Sequence, residues 1–298
     1  MQNIWLKEVR APFLLIPTIF VPVGLAMAWD TGSFNPLTAV LTLIGALGLH
    51  ASVNMLNDYF DFRSGLDLAT TPTPFSGGSR VLPAKALSPN SVLYAGILTL
   101  GVGLGIGSYF IFSFAFDPVL IAILVLASLS VVGYSSVISH FGLGEFAAGM
   151  SFGPLLVFGT YYLQTRTIVL APILVGTSLG ILVAGILYIN EFPDTTADQR
   201  AGRRHLVILW GKDKAASRFR VLIFSAYAII AVGIAAGVIS PIALVSFLTI
   251  PKAWSATSIL ARNYDKVTEL IPGMAATVMA TLLTGLLLFL GYIALHFI

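Results

Sequence analysis

The chain of 298 residues contains no cysteine, and this absence excludes several classes of site. Without cysteine there is no disulfide framework, no thiolate zinc or iron–sulfur centre and no cysteine nucleophile. Charge is also scarce, because only 10% of the residues are Asp, Glu, Lys or Arg, against roughly 25% in a typical soluble domain. With 57% of residues apolar and a mean hydropathy of +0.93, neither a disordered chain nor a soluble fold fits. The composition predicts an all-α polytopic membrane protein.

Long apolar runs are what the sequence does have. A hydrocarbon core of about 30 Å is crossed by roughly 20 residues of helix, and nine stretches meet this requirement. We therefore predict one transmembrane domain over residues 1–298, with about nine helices. The first stretch ends in Ala26-Met27-Ala28, so a cleaved signal peptide is the alternative interpretation there, although the apolar run is long for one. The predicted spans are 12–29, 37–60, 91–113, 118–137, 144–163, 168–192, 219–239, 241–261 and 271–297.

The basic residues are distributed unevenly between the two sets of connections. The N-terminal segment and the connections 61–90, 193–218 and 262–270 hold all but three of the sixteen Lys and Arg residues, whereas the opposite connections hold only Arg166. The positive-inside rule then predicts a cytoplasmic N-terminus and an outside C-terminus. Because basic residues record orientation in a membrane protein, the net charge of +3 does not indicate a nucleic-acid partner. Lys252 lies inside the eighth span, where snorkelling and a cavity-facing role are both open.

Two polar segments, 57–67 and 190–198, resemble each other and close the second and sixth spans. Their first residues, Asn57 and Asn190, are 133 positions apart, so the chain divides into two four-helix repeats and a ninth helix. The second and sixth spans cross the membrane in the same direction, which makes the repeat parallel, unlike the inverted repeats common in secondary transporters. Both segments are therefore expected at the same, cytoplasmic face.

Each polar segment carries oxygen ligands at helical spacing. Asn57 and Asp61 are four residues apart, as are Asn190 and Asp194, and Asp194 and Asp198, so each pair can share one helix face. Carboxylate and amide oxygens suit a hard cation, and Mg²⁺ usually takes one or two carboxylates while leaving positions for substrate phosphate. Acidic residues that merely balance nearby arginines are the simpler alternative, but two matching clusters favour a Mg²⁺ site.

A glycine-rich, basic sequence follows each cluster. Ser76-Gly77-Gly78-Ser79-Arg80 follows the first, and Gly202-Arg203-Arg204-His205 follows the second. Glycine lets backbone N–H groups approach an anion closely, and Arg can bind phosphate in a bidentate manner. Acidic residues, a bound metal and basic residues on one face predict a diphosphate site. There, Mg²⁺ and cationic side chains help the diphosphate to leave an allylic chain. The carbocation needs a dry bundle with aromatic faces, and we favour Tyr134, which ends the fourth span on the same side.

These motifs resemble those of the UbiA superfamily of intramembrane aromatic prenyltransferases, and the similarity spans nearly the whole chain. The resemblance is carried by the first segment, 57–67, and by Asp194-Thr195-Thr196-Ala197-Asp198 with the Gly202-Arg203-Arg204 that follows. In the first segment, Gly65 and Asp67 resemble the menaquinone-pathway branch. The 4-hydroxybenzoate branch more often has an acid at the position of Gly65.

The resemblance implies an enzyme of the cell membrane, surrounded by lipid, that transfers a polyprenyl group from its diphosphate to an aromatic acceptor. Two Mg²⁺ ions would bridge the diphosphate at a mouth that faces the cytoplasm. The expected catalytic residues are Asp61, Asp194 and Tyr134. The expected metal ligands are Asn57, Asp61, Asp67, Asp194 and Asp198. The expected diphosphate partners are Arg63, Arg80, Lys85, Arg203 and Arg204. Further candidate substrate contacts are Asp58, Asn190, Glu191, Glu145, His50 and Asn54.

The chain also departs from the family pattern. Ser136-Val137-Ile138-Ser139-His140, which enters the predicted cytoplasmic connection 138–143, stands where the family often has a proline pair and a basic residue. Glu191 and Pro193 stand where the quinone branch often has Asn and Arg. These departures concern the acceptor more than the diphosphate chemistry, so a lipid alcohol such as a glycerol phosphate ether is an alternative acceptor.

Two other classes of membrane protein are alternatives to a prenyltransferase. A secondary transporter of an anionic solute would place charges deep in its spans. A phosphatidyltransferase would carry one compact acidic signature, whereas here the acids form two distant clusters. Neither the prenyl chain length nor the oligomeric state follows from the sequence.

Overall fold

The computed structural model describes residues 3–136, 138 and 141–297, and within these ranges the chain is helical without a β-strand. His140 and part of the predicted connection 138–143 therefore lie outside the described residues. The α-helices are α1 Ile4–Glu8, α2 Leu15–Asp30, α3 Pro36–Ser64, α4 Leu66–Ala69, α5 Pro89–Ser113, α6 Pro118–Ser136, α7 Gly144–Met150, α8 Leu156–Thr165, α9 Leu170–Arg200, α10 Leu206–Trp210, α11 Lys212–Ala235, α12 Ile250–Asn263 and α13 Val267–Leu295.

Eight helical segments of the described chain are long and apolar enough to cross a membrane, and α6 contributes a shorter apolar stretch, Pro118–Tyr134. Three of the eight are composite. The segment Ala11–Asp30 joins a 3₁₀ turn, Ala11–Leu14, to α2. The segment Gly144–Thr165, which matches the fifth predicted span, joins α7 to α8 through a π-helical turn, Ser151–Leu155. The segment Pro241–Asn263, which matches the eighth predicted span, joins a 3₁₀ segment, Pro241–Thr249, to α12. The prediction of an all-helical membrane bundle with about nine spans is confirmed.

Helix α9 is the central helix of the bundle. It packs against α7, α8, α11 and α13, and side chains such as Leu179, Ile189 and Phe192 are almost completely buried. Its contact with the fifth span is close because glycine faces glycine, and a Cβ at Gly180 would lie 2.2 Å from the carbonyl oxygen of Gly149. Small residues permit such approach in membranes, where packing drives helix association. This contact fixes the position of the helix that carries the second acidic segment.

Both acidic segments continue the helices of their spans. Helix α3 runs on to Ser64, and α9 runs through Pro193 to Arg200, so both helices extend beyond the predicted spans. Gly65 ends α3 with a φ of +80°, a conformation that glycine adopts without the penalty a Cβ would bring. The acidic side chains are therefore held on rigid helix ends rather than on loops.

One polar cluster closes the opposite end of the bundle. Asp117 caps α6 by accepting hydrogen bonds from two N–H groups of its first turn, at 2.8 and 3.1 Å. It also accepts from the Tyr162 hydroxyl at 2.9 Å and pairs with Arg166. The guanidinium carbon of Arg166 lies 4.3 Å from the centroid of the Phe114 ring. We call Phe114, Asp117, Tyr162 and Arg166 the distal lock, because α6 runs from it to Tyr134 near the acidic segments.

We expect Asp117→Ala to destabilise the bundle. The substitution removes a helix N-cap, which costs about 1–2 kcal/mol, and it leaves the guanidinium of Arg166 without its carboxylate. The thermal midpoint of the detergent-solubilised protein should fall by several degrees. Asp30→Ala is the matched control, since this exposed residue also lies at the distal end. Equal midpoints for Asp117→Ala and the unsubstituted protein would contradict a stabilising lock.

Candidate active site

The C-terminal ends of α3 and α9 bring the two acidic segments together. Arg203 links them, because its guanidinium pairs with Asp61 of the first segment and lies 3.3 Å from a carboxylate oxygen of Asp198 in the second. Asn57 donates a hydrogen bond to Asp61 Oδ2 at 3.1 Å. Although burial works against it, the two carboxylates raise the pKa of Arg203 above its ordinary value. Two segments 133 positions apart in the sequence therefore form one site around a charged guanidinium.

A cavity of about 130 Å³, which we call the polar cavity, lies between the two segments. Three buried oxygen atoms of its lining residues have neither a hydrogen-bond nor an ion-pair partner among the described residues, namely Asp67 Oδ2, Asn190 Oδ1 and Asp194 Oδ1. Buried carboxylate and amide oxygens are costly when they are left unsatisfied. The walls therefore offer acceptors to a ligand. The polar and charged side chains in the lining are those of Arg10, Asn57, Asp61, Asp67, Thr70, Ser76, Tyr134, Asn190, Glu191, Asp194, Asp198, Arg203 and His205.

This donor set fits a hard divalent cation. The unpartnered atoms are carboxylate and amide oxygens, which Mg²⁺ prefers. Burial, and then the carboxylates of Asp58 and Asp61, raise the pKa of Asp67 to about 7, as expected where acids crowd together without enough positive charge. Within the described ranges, no group of three His, Cys, Asp or Glu side chains is placed to hold a metal ion by itself. The acids therefore surround a cavity rather than forming a closed cage, which suits a cation shared with a substrate.

The glycine-rich loop between α4 and α5 forms one wall of the polar cavity. Gly78 has a φ of +75° and passes so close to Asp67 that a Cβ would lie 2.7 Å from its Oδ1. Asn190 donates a hydrogen bond to the Phe75 carbonyl at 3.1 Å. The loop thus contacts both acidic segments, and only glycine can occupy the position against Asp67 without displacing that carboxylate.

A second cavity, of about 320 Å³, continues from the polar one into the bundle, and we call it the apolar cavity. It runs along α3 from Asn57 to Thr42, a distance of roughly 22 Å at 1.5 Å per residue. Most of the residues that line it are aliphatic, aromatic or glycine. The arrangement suits a molecule with an anionic head and a long apolar tail. Six residues line both cavities and mark their junction, namely Arg10, Asn57, Phe75, Tyr134, Leu187 and Asn190.

The five predicted diphosphate partners take different positions in the structure. Arg203 lines the polar cavity, while Arg80 donates to the backbone carbonyl of the residue at position 67. Arg63, Lys85 and Arg204 are exposed and line neither cavity. Arg204 follows Arg203 in a non-helical segment but is exposed, whereas Arg203 is partly buried. Position in the sequence alone did not separate the inward guanidinium from its exposed neighbour.

Two of the candidate substrate contacts have partners within the protein and line neither cavity. Asp58 accepts from the Arg10 guanidinium at 2.7 Å and from the Ser79 N–H at 2.9 Å. Glu145 accepts from the Leu206 N–H at 2.8 Å. Asp58 therefore ties the N-terminal segment and the glycine-rich loop to α3, and Glu145 holds the start of α10.

The other four candidate substrate contacts line the cavities. Asn190 and Glu191 line the polar cavity, whereas His50 and Asn54 line the apolar cavity below Asn57. The imidazole ring of His50 lies 4.5 Å from the Phe152 ring, and its Nδ1 is buried without a hydrogen-bond partner among the described residues. Asn54 donates to a backbone carbonyl of the N-terminal segment at 2.9 Å. Helix α3 thus places polar groups inside an otherwise apolar chamber.

His205 connects the acids of the second segment. Its Nδ1 lies 3.4 Å from Glu191 Oε2, and its Nε2 lies 3.4 Å from Asp198 Oδ2. The scattered histidines of the sequence did not indicate this position, because the contact depends on the chain returning to α9 after Gly202. The polar cavity therefore has an imidazole in its wall beside the predicted ligands.

Two charged residues of the N-terminal segment were not predicted as part of the site. Arg10 lines both cavities. Glu8 is completely buried, and its Oε2 accepts from the Ser79 hydroxyl at 2.8 Å. Burial, and then the carboxylate of Asp58, raise the pKa of Glu8 to about 7. Charges just before a first span are also a topology signal, so no local pattern distinguishes these two from surface residues.

Glu8→Gln should remove a pH dependence of stability. The pKa of Glu8 in the folded protein, about 7, lies above its ordinary value of 4.5, so the folded state binds the proton more tightly than the unfolded state. Stability therefore falls as the pH rises through this interval. Gln keeps an acceptor for Ser79 and cannot ionise. Its thermal midpoint in detergent should exceed that of the unsubstituted protein by a few degrees near pH 8, and the two should converge below about pH 4, where Glu8 is protonated in the folded and in the unfolded state.

The control for this prediction is Glu269→Gln, because Glu269 is exposed at the start of α13. This variant should follow the unsubstituted protein at both pH values. If Glu8→Gln retained the full pH dependence, ionisation of Glu8 would not be its source.

Comparisons with known proteins agree with this architecture. The model of the UbiA prenyltransferase family matches residues 14–271. The 1,4-dihydroxy-2-naphthoate octaprenyltransferase of Escherichia coli (strain K12) is 28% identical over 290 residues, which cover 96% of this chain and 94% of the relative. The apo structure of a UbiA homolog from Aeropyrum pernix K1 superimposes with a TM-score of 0.69 at 17% identity, covering 96% of this chain and 98% of that one. A UbiA homolog from Archaeoglobus fulgidus, solved with GPP and Mg²⁺, superimposes with a TM-score of 0.66 at 16% identity, covering 98% of this chain and 100% of that one.

Proposed function

The chain belongs to the UbiA prenyltransferase family, as its motifs predicted, and we propose that it transfers a prenyl group from a polyprenyl diphosphate to an aromatic acceptor. It is a multi-pass membrane protein and an enzyme of the prenyltransferase class. One observation carries the proposal, namely a polar cavity walled by carboxylates that opens directly into a long apolar cavity. Such a pair of chambers matches the two halves of a prenyl diphosphate.

We propose Mg²⁺ as the cation of the polar cavity. The donor set is that of a hard cation, and the homolog from Archaeoglobus fulgidus was solved with Mg²⁺ and GPP. When bound, Mg²⁺ neutralises the negative charge that develops on the diphosphate as its C–O bond breaks. Because each acidic segment offers its own oxygens, we propose two ions. The proposed ligands are Asn57, Asp61 and Asp67 from the first segment and Asp194 and Asp198 from the second.

The arginines of the site complement these acids. Arg203 is held between Asp61 and Asp198, where its guanidinium can bind a phosphate in a bidentate manner. Arg10 stands at the junction of the cavities, next to the position of the reacting carbon. Arg80 supports the loop that carries Gly77 and Gly78, whose N–H groups can approach the anion. Arg63, Lys85 and Arg204 are proposed only to attract the anionic substrate from solution, because they are exposed.

The junction is where we place the bond changes. The C–O bond to the diphosphate breaks, the leaving group takes the electron pair, and the allylic cation forms beside the ring of Tyr134. The apolar walls keep water away from this cation. An aromatic carbon of the acceptor then forms the new C–C bond and the acceptor loses a proton. His50 and Asn54, on the same helix as Asn57, are the proposed polar contacts for the acceptor.

For the acceptor we propose a dihydroxynaphthoate. The relative from Escherichia coli, which aligns with almost the whole chain, is a 1,4-dihydroxy-2-naphthoate octaprenyltransferase. A glycerol phosphate ether is the alternative acceptor, and an assay with either compound and one prenyl donor separates the two. Transport of an anionic solute is disfavoured, because the structure encloses a cavity whose charged side chains gather at one end.

We also propose that the N-terminus and the polar cavity face the cytoplasm. The cavity lies at the end of the bundle that carries most of the basic residues, including Arg200, Arg203 and Arg204, whereas the distal end has Arg166. The positive-inside rule supports this orientation.

Asp61→Asn and Asp194→Asn should each reduce prenyl transfer by more than about 100-fold. Each substitution removes the charge of one proposed Mg²⁺ ligand, and loss of one such electrostatic contact typically costs 10²–10³ in rate. The assay follows labelled farnesyl diphosphate with 1,4-dihydroxy-2-naphthoate and Mg²⁺ in detergent. EDTA should abolish donor binding while the helical circular dichroism is unchanged. Asp265→Asn, an exposed aspartate near the same face, is the control, and undiminished turnover in both site variants would refute the two-segment mechanism.

Arg203→Ala and Arg204→Ala form a matched pair of adjacent arginines. Loss of Arg203 should raise the Kd for the prenyl diphosphate and lower kcat/KM by about 100-fold, since it removes a buried cation from the polar cavity. Loss of the exposed Arg204 should change kcat/KM by less than about threefold at physiological ionic strength. Equal effects of the two substitutions would argue against Arg203 as the diphosphate ligand.

A further inference from the structure

Near the distal lock, the apolar cavity reaches a group of buried side chains that we call the floor. Phe110 from α5 and Leu120 from α6 line its far end, and each is only 5% exposed. Both belong to one buried cluster with Tyr162. Leu163 from α8 also lines this end and packs against the cluster. Side chains from three helices therefore meet at this end of the chamber.

One face of α5 explains where the chamber stops. Gly103, Gly107 and Phe110 follow one another at the i, i+4 and i+7 spacing that places them on one side of a helix, and all three line the apolar cavity. A Cβ at Gly103 would lie 2.6 Å from Leu49, and one at Gly107 would lie 2.4 Å from Leu124. Because glycine has no side chain, these two leucines of the cavity wall pack directly against the backbone of α5. The cavity is wider at this level as a result. Phe110 is the first bulky residue on this face below the glycines.

The distal lock supports this floor from behind. The rings of Phe110 and Phe114 stack with their centroids 6.4 Å apart, and the guanidinium of Arg166 lies over Phe114. Tyr162, which belongs to the same buried cluster as Phe110, is hydrogen-bonded to Asp117. The side chains of the floor are therefore held in place by aromatic and polar contacts of the distal lock. These contacts resist displacement of Phe110 by the apolar tail of a bound ligand.

We propose that Phe110 limits how many isoprenyl units the protein encloses, and is thus a specificity-determining residue for the prenyl donor. This inference rests on the proposed function. An extended isoprenyl unit adds four C–C bonds, or about 5 Å of length, so the roughly 22 Å from Asn57 to Thr42 accommodates about four units. Leu120 forms the floor beside Phe110, but it lies next to the capped first turn of α6 and is the less replaceable of the two.

The test compares prenyl diphosphates of two, three, four, five and six units, measured as Kd by competition and as kcat/KM. In the unsubstituted protein the third and the fourth unit should each improve affinity by at least about tenfold, as burial of several carbon atoms in an apolar pocket does, and the fifth and sixth should add nothing further. A phenyl ring has about the size of one isoprenyl unit. Phe110→Ala should therefore move this limit from four units to five, and Phe110→Leu should give an intermediate profile while preserving more of the packing.

Phe112→Ala is the matched control, because Phe112 lies on the same helix but is 68% exposed and lines neither cavity. It should leave the length profile unchanged. Turnover of geranyl diphosphate by the unsubstituted protein and by Phe110→Leu establishes the proposed function and the integrity of the variant. If both turn over this donor but all length profiles coincide, Phe110 does not set the limit. If the unsubstituted protein turns over no prenyl diphosphate, the proposed function fails and the inference fails with it.

Discussion

The pairing of one arginine with two acidic segments is the interaction on which the site depends. Asp61 lies near the end of α3 and Asp198 near the end of α9, and the guanidinium of Arg203 lies between them. Two carboxylates could not both be buried in their charged form at this point without a compensating cation. The same physical demand explains why the remaining oxygens in the wall, on Asp67, Asn190 and Asp194, suit a divalent cation. The ends of α3 and α9 are thus held close together by charge as well as by packing.

The rest of the bundle keeps charge away from its interior. Charged groups gather at the junction with the acidic segments and at the distal lock, and between them runs a chamber lined mostly by aliphatic, aromatic and glycine residues. In a hydrocarbon environment, helices associate through close packing of small residues rather than through exclusion of water. Gly149 and Gly180 bring the fifth span against α9, and Gly103 and Gly107 let wall residues retreat from the chamber. Glycine therefore permits close helix contact between the fifth predicted span and α9, and it widens the apolar cavity beside α5.

The sequence predicted the class of fold well, and it singled out the two acidic segments that meet at the polar cavity, for identifiable reasons. Apolar runs of membrane length admit few structures other than helices, and the match between Asn57 and Asn190 indicated the repeat. It predicted less about individual side chains. Arg203 and Arg204 are adjacent and chemically identical, yet only Arg203 lines the polar cavity. Glu8 and Arg10 resembled topology signals, and their burial depends on contacts with residues about 50 to 70 positions away.

The sequence by itself determined the features that depend on local composition and on the spacing of residues along a helix. These are a membrane bundle, two parallel acidic segments, and the oxygen ligands that their side chains offer. Only the tertiary structure decided which of those side chains share a cavity, that Asp58 and Glu145 serve structural contacts, and where the apolar chamber ends at Phe110. The physical reason is that orientation around a helix and approach between helices depend on packing with distant partners. Neither is encoded in the spacing of residues along one segment.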